Sequence, residues 1–157
     1  MLYEVVNWRD DGAEERPPLD ELLERPEIRR YVEGWGRIGD GAIVALDRLN
    51  EPVGAVWYRL FSAAEPGFGF VAADVPELAI AVYPECRGQR VGSLLLGTLV
   101  SRARAGGSPS VSVSIAVDNP ARRMFARHGF EVVPRPDAVR TLPGGDEETL
   151  TMLLDLT

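Results

Sequence analysis

A strand that runs through a glycine-containing turn into a helix constrains this chain more than any other stretch. It is Glu77–Val100, ELAIAVYPECRGQRVGSLLLGTLV. Leu78–Val82 is a short apolar run ended by Pro84. Val91–Val100 carries leucine at 94, 95, 96 and 99, a helical density of apolar residues. Between them lies Arg87-Gly88-Gln89-Arg90-Val91-Gly92. The first N–H groups of a helix have no internal partner, and the helix dipole adds positive potential at the same end. Such a turn suits phosphate, and the reading is that it holds a pyrophosphate. On the turn alone, a connection that merely joins strand to helix is an equal alternative. There is no Walker loop and no lysine, and the Gly-x-Gly-x-x-Gly fingerprint is absent.

The flanking sequence supplies the rest of a layered fold. Leu2, Val5, Val6 and Arg9 recur at helical spacing, so Leu2–Trp8 reads as helix, followed by a loop over Asp10–Pro18. Leu19–Glu24 and Pro26–Glu33 are short helices, the second opened by Pro26. Ala42–Leu46 and Val53–Phe61 form an antiparallel hairpin through the polar link Asp47–Pro52. Ser62–Pro76 has no period and carries Gly67-Phe68-Gly69-Phe70, a long, mobile aromatic connection of a kind that is often functional. Ala105-Gly106-Gly107 closes the long helix, and Ser108–Val117 alternates Val and Ile with Ser and Ala, a strand with one small-residue face. Asp118 or Asn119 caps a helix running to about Arg127, ended by Gly129. Phe130–Val133 is a strand, Pro134–Glu148 a loop, and Thr149–Leu156 a last strand. The central strand–helix–strand is a right-handed parallel crossover with antiparallel strands around it. The fold class is therefore α/β, a mixed, mostly antiparallel twisted sheet with helices on both faces.

Composition limits the functions open to it. At 157 residues the chain reads as one domain, residues 1–157. A net charge of −7 argues against nucleic acid as a partner. No apolar run is long enough for a membrane span, and no signal sequence opens the chain. Cys86 and His128 are the single cysteine and histidine, so neither a disulfide nor a Cys- or His-based metal site is expected. These features point to the cytoplasm.

Two segments read together resemble the GCN5-related N-acetyltransferase (GNAT) family. ELAIAVYPECRGQRVGSLL carries an Arg-x-x-x-x-Gly turn, and VDNPARRMFARHGF follows as an Asn-led helix ending in Gly-Phe. The hairpin with Glu51-Pro52-Val53-Gly54-Ala55 and the closing Thr149-Leu150-Thr151-Met152 also resemble family strands, so the likeness covers about Ala42–Leu156. The resemblance implies a GNAT-like acyl-CoA N-acyltransferase fold whose splayed fourth and fifth strands hold acetyl-CoA, with no metal. It implies that backbone groups of Ile80, Ala81 and Val82 pair with the pantetheine. Backbone N–H groups from Gly88, Gln89, Arg90, Val91, Gly92 and Ser93 would cradle the pyrophosphate, with Arg87 opening that turn. Asn119 would reach the pantetheine arm, beside Phe125, and the Val82 N–H would polarise the thioester carbonyl. Residues 77–133 would form the acetyl-CoA core and residues 1–40 a variable helical region on the acceptor side.

Four departures from the family pattern bear on the chemistry. Arg90 stands where the motif has its first glycine, and it fits if its backbone is an ordinary helical one. Its side chain then pairs with a phosphate. Phe125 occupies the position of a Tyr that often protonates the departing thiolate, and Ser114 that of a Glu base on the fifth strand. The opening strand of the family is missing if Leu2–Trp8 is helix. If Leu2–Val6 is instead that strand, its exposed edge favours pairing between chains, a homodimer.

Direct attack by an amine needs a neutral nitrogen. Glu77 is the first candidate base, with an exposed strand-start residue as the alternative and Asp74 and Glu65 as weaker candidates. Strand parity at Glu77 is open because the family often carries a bulge there. Tyr83 and Tyr58 read more readily as packed residues than as catalytic ones. Trp35, Trp57, Phe61, Phe68 and Phe70 wall an acceptor pocket or belong to the core. His128 reads as a helix cap. The leading expectation is an acetyl-CoA-dependent N-acetyltransferase acting on a primary amine. The alternative is an acyl-CoA-binding or regulatory protein without turnover, favoured by Phe125 and Ser114.

Overall fold

A computed structural model describes residues 1–9, 16–134, 139–141 and 147–157; the expected loop segments 10–15, 135–138 and 142–146 lie outside the described residues. Three helices come first: α1 (Leu2–Val6), α2 (Leu19–Glu24) and α3 (Pro26–Arg29). The hairpin β1 (Gly41–Leu46) and β2 (Pro52–Arg59) follows, then β3 (Glu77–Val82), a 3-10 turn at Pro84–Cys86, and α4 (Val91–Ala105). β4 (Ser110–Ala116), α5 (Arg122–Arg127), β5 (Glu131–Val132), β6 (Val139–Thr141) and β7 (Glu148–Asp155) complete it. The segment read as a loop over Pro134–Glu148 thus contains a short strand, β6, paired to β7. Among the described residues no helix is long and apolar enough to cross a membrane.

The strands form one sheet in the order β1-β2-β3-β4-β7-β5, with β6 also on β7. Among the described residues only β3 and β4 are parallel; the other pairs are antiparallel. Leu2–Val6 is helix, so the family's opening strand has no counterpart among the described residues, and β1 is the end of the strand order.

Strand alternation sends alternate side chains to two cores. On one face Val56, Leu78, Val111, Val113 and Ile115 pack with Leu95, Leu96, Leu99 and Ala103 of α4 and with Phe125 of α5. The i, i+3, i+4 spacing of those α4 residues is what turns them to one side. On the other face Ala55, Trp57 and Ala79 pack under Leu2, Leu22, Ile28, Tyr31 and Phe61. Helices therefore cover both faces. The α1–α3 side is also tied down by charge. Arg59 of β2, 1% exposed, binds both carboxylate oxygens of Asp40 at 2.9 and 2.6 Å. It also donates to the carbonyls of Arg30 and Glu33 at 2.9 and 2.7 Å. Trp35 lies over the same guanidinium, 5.2 Å from ring centroid to Cζ.

Candidate functional site

β3 and β4 touch only at their start. Glu77 pairs with Ser112 and Leu78 with Val113, and the pairing stops there. This is the expected splay. Which edge groups of β3 face the gap follows from two bonds. Tyr83 N–H binds Val53 O at 3.0 Å, so odd-numbered groups face β2, and Ser112 N–H binds Pro76 O at 3.0 Å, so even-numbered groups face β4. Ile80 and Val82 therefore present backbone groups to the gap. Ala81 does not: it opposes Ala55, and its backbone groups pair with β2. This removes Ala81 from the expected pantetheine partners. The register from Gly54↔Val82 to Arg59↔Glu77 runs without a shift, so β3 carries no bulge.

At the far end of β3 the chain reaches α4. Leu94 N–H makes the first intrahelical bond, to Arg90 O at 3.1 Å, so the N–H groups of Val91, Gly92 and Ser93 precede it. No side chain caps this end. Gly88 has φ 75° and Arg90 has φ 66°, ψ 7°. The condition set for Arg90, an ordinary helical backbone, is not met: the arginine takes the left-handed conformation that glycine adopts most readily. A left-handed non-glycine residue costs roughly 1–2 kcal/mol, partly offset by the extra chain entropy of glycine. Arg90→Gly is accordingly expected to raise the unfolding free energy by roughly 0.5–1 kcal/mol, whereas Arg90→Ala is not. Denaturant midpoints of the two variants check this.

Other turn residues have side-chain duties of their own. Arg87 Nε donates to Val82 O at 3.1 Å and its Nη1 to Trp8 O at 3.3 Å, pinning the end of β3 to the residues after α1. Gln89 donates to Glu85 O at 3.3 Å. Ser93 Oγ lies 2.8 Å from His128 Nε2, joining α4 to α5, so the histidine ring holds a serine rather than a helix end. Asn119 Oδ1 accepts from Ala121 N–H at 2.9 Å, which leaves its amide NH₂ as the donor for a ligand.

A cavity of about 470 Å³ runs from the gap to the α1–α3 side. Ile80, Ser114, Ala116, Asn119 and Phe125 line it together with Leu2, Val5, Trp8, Ile28, Tyr31 and Phe68. Glu77 and Ser114 line it together, on adjacent strands of the same sheet face. Glu77 is 2% exposed, so it is no exposed strand-start residue. Its Oε1 accepts from the Tyr31 hydroxyl at 2.5 Å, and that hydroxyl accepts from Phe68 N–H at 2.8 Å. Burial, and then the neighbouring Glu77 charge, push the Tyr31 phenol well above its ordinary range.

The loop before β3 is built into this site rather than standing off it. A Cβ on Gly67 would lie 2.1 Å from Glu77 Oε2, and one on Gly69 would lie 2.7 Å from Ser114 N. The Gly-Phe-Gly-Phe pattern is thus a close approach over the carboxylate and the small-residue face of β4. Of the other expected residues, Phe68 lines the cavity, while Trp57 and Phe61 belong to the α1–α3 core. Phe70 packs against that core, and Trp35 is largely exposed. Glu65 and Asp74 are exposed and away from the cavity wall. Tyr58 packs on the α4 side. Sequence reasoning missed Tyr31, which no motif marks.

The comparisons place the chain in a family. The family model described as acetyltransferase (GNAT) family matches residues 2–130. The chain belongs to the GNAT family. A curated relative, the mycothiol acetyltransferase of Brachybacterium faecium, is 31% identical over 137 residues, 87% of this chain. The match spans 37% of that relative's length. A ribosomal-protein-alanine N-acetyltransferase from Brucella melitensis superposes with TM-score 0.67 at 25% identity, over 97% of this chain and 87% of that one. A GNAT phosphinothricin acetyltransferase from Sinorhizobium meliloti, solved with acetyl-CoA, gives 0.67 at 25% identity, over 97% and 77%.

Proposed function

We propose that this GNAT domain is an acetyl-CoA-dependent N-acetyltransferase that moves the acetyl group directly to a primary amine. The observation that carries the reading is a buried carboxylate, Glu77, lining the same cavity as the open edge of β3. That edge fits a pantetheine arm, because Ile80 and the Val82 N–H face the gap past the last β3–β4 pair, the Val82 carbonyl being held by Arg87, and amide groups can add to it. Residues 77–133 form the cofactor half, and the helical residues of 1–40 the acceptor half.

The N–H groups of Gly88–Ser93 receive the pyrophosphate at the α4 start. The Arg90 guanidinium adds a charge-assisted contact, so CoA binding weakens in both Arg90→Gly and Arg90→Ala. The Asn119 amide donates to the pantetheine arm. Ile80 rather than Val82 polarises the thioester carbonyl: its N–H is the first on β3 past the last β3–β4 pair, and it lines the cavity where Val82 does not. Glu77 takes the proton from the incoming ammonium, so that the neutral nitrogen attacks the carbonyl carbon; as the carbon–sulfur bond breaks, the new nitrogen cation releases its second proton to solvent and becomes the amide. Phe125 stands in the cavity wall without a hydroxyl, and the thiolate takes its proton from solvent.

Thiol release from acetyl-CoA across a panel of small amines, amino acids, polyamines and N-terminal peptides tests this. The expected result is turnover with at least one acceptor class. Tight CoA binding with no turnover on any amine supports the binding protein instead.

A further inference from the structure

We propose that Tyr31 is a positioning residue that holds Glu77 ionised and aims it into the cavity, its hydroxyl donating to the carboxylate while the Phe68 N–H fixes the direction of that donation. The inference rests on the reading of Glu77 as the base and adds the residue that sets its proton affinity.

The hydrogen-bond directions follow from one fixed donor and from an ionised carboxylate, which can only accept. A backbone N–H only donates, so the Phe68 N–H at 2.8 Å occupies an acceptor site of the Tyr31 oxygen. The hydroxyl proton is then left for Glu77 Oε1 at 2.5 Å. A hydrogen bond given to a carboxylate favours its charged form and opposes burial, which favours the neutral one. Glu77 needs that help, because it is 2% exposed under Tyr31 and the Gly67–Gly69 segment. Burial first, and the Glu77 charge after it, raise the phenol, so Tyr31 stays protonated and remains the donor.

The other charged groups around the pair come from several elements. Arg59 of β2 opposes Glu77 across the sheet, with its guanidinium bound to Asp40. Arg25 and Glu147 line the same cavity, and Arg30 precedes Tyr31. The residue is brought to the site by the α1–α3 region, so the acceptor half of the fold tunes the base of the cofactor half. Through Phe68, the loop before β3 takes part in the same contact.

The test is a titration of the ligand-free chain labelled with ¹³C at the glutamate carboxyls, the Glu77 signal being the one lost in Glu77→Gln. In Tyr31→Phe the Glu77 midpoint is expected to rise by about one to two pH units, the shift equivalent to one hydrogen bond to a charged group. The acid limb of kcat/KM for the best amine of the panel rises with it, while KM for acetyl-CoA is unchanged. Replacing Tyr31 by 3-fluorotyrosine, a more acidic donor of nearly the same shape, is expected to move the midpoint down. An unmoved midpoint in both variants overturns the inference and leaves the base reading intact. Native turnover by Glu77→Gln overturns the base reading, and the catalytic part of the inference with it.

Discussion

Glu77→Gln is expected to lower kcat/KM for acetyl transfer by ~10²–10⁴-fold near neutral pH, the range for removing a positioned general base. The substitution keeps the size of a side chain that is 2% exposed and can still accept from Tyr31, so the fold is expected to persist. Affinity for CoA should stay near that of the native chain, because the phosphate turn and the β3 edge are untouched. The acid limb of the pH profile should disappear, since it reports the group that must lose a proton. Steady-state rates against pH, with CoA binding measured in parallel, separate these terms. A loss below about tenfold with the limb retained would assign the proton transfer to another group.

Arg59→Leu is expected to cost about 3–5 kcal/mol of stability, the range for removing one partner of a buried ion pair. Asp40 would keep a buried charge, and the carbonyls of Arg30 and Glu33 would lose their donor. The damage would fall on the acceptor half, because those carbonyls and Asp40 bind the α3 end and the approach to β1 onto β2. Adding Asp40→Leu to the variant should recover part of the loss, as the orphaned charge is then gone. Denaturant midpoints of both singles and the double variant give the coupling.

The same pair predicts a pH dependence. The Arg59 hydrogen bonds, with the Gly36 and Arg37 N–H groups, hold the Asp40 carboxyl below its usual range against the effect of burial. A carboxyl with a depressed folded value binds protons more readily in the unfolded chain. Its contribution is therefore complete above the ordinary Asp value of about 4 and is lost as pH falls through the lower folded value. The native chain should lose stability on acidification in that window, and Asp40→Asn should show a flatter profile there.

Much of the stretch from β3 to β5 was legible as sequence, because its determinants are local. The Leu78–Val82 run, the Arg87–Gly92 turn and the leucines of α4 define strand, turn and helix within a short span, and Asn119 to Phe130 does the same for the next crossover. Backbone N–H groups at a helix start need no distant partner to be useful. Even there one local reading failed. The turn needs a left-handed residue at position 90, and chain direction after Gly88 imposes it whatever side chain stands there.

The packing of the α1–α3 side was hidden for a physical reason: its contacts join residues far apart in the chain, and no spacing rule links them. Tyr31 and Glu77 are 46 residues apart, and Arg59 and Asp40 lie on different elements. Whether Glu77 was an exposed strand start or a buried base depended on register, which pairing with β2 sets. Which of Ile80, Ala81 and Val82 could face a ligand depended on the same register, because a strand offers alternate residues to opposite edges. The sequence by itself determined the family and the strand–turn–helix around Arg87–Gly92. Only the tertiary structure decided which carboxylate meets the cavity and which hydroxyl holds it, since burial and hydrogen-bond direction are properties of the packed sheet.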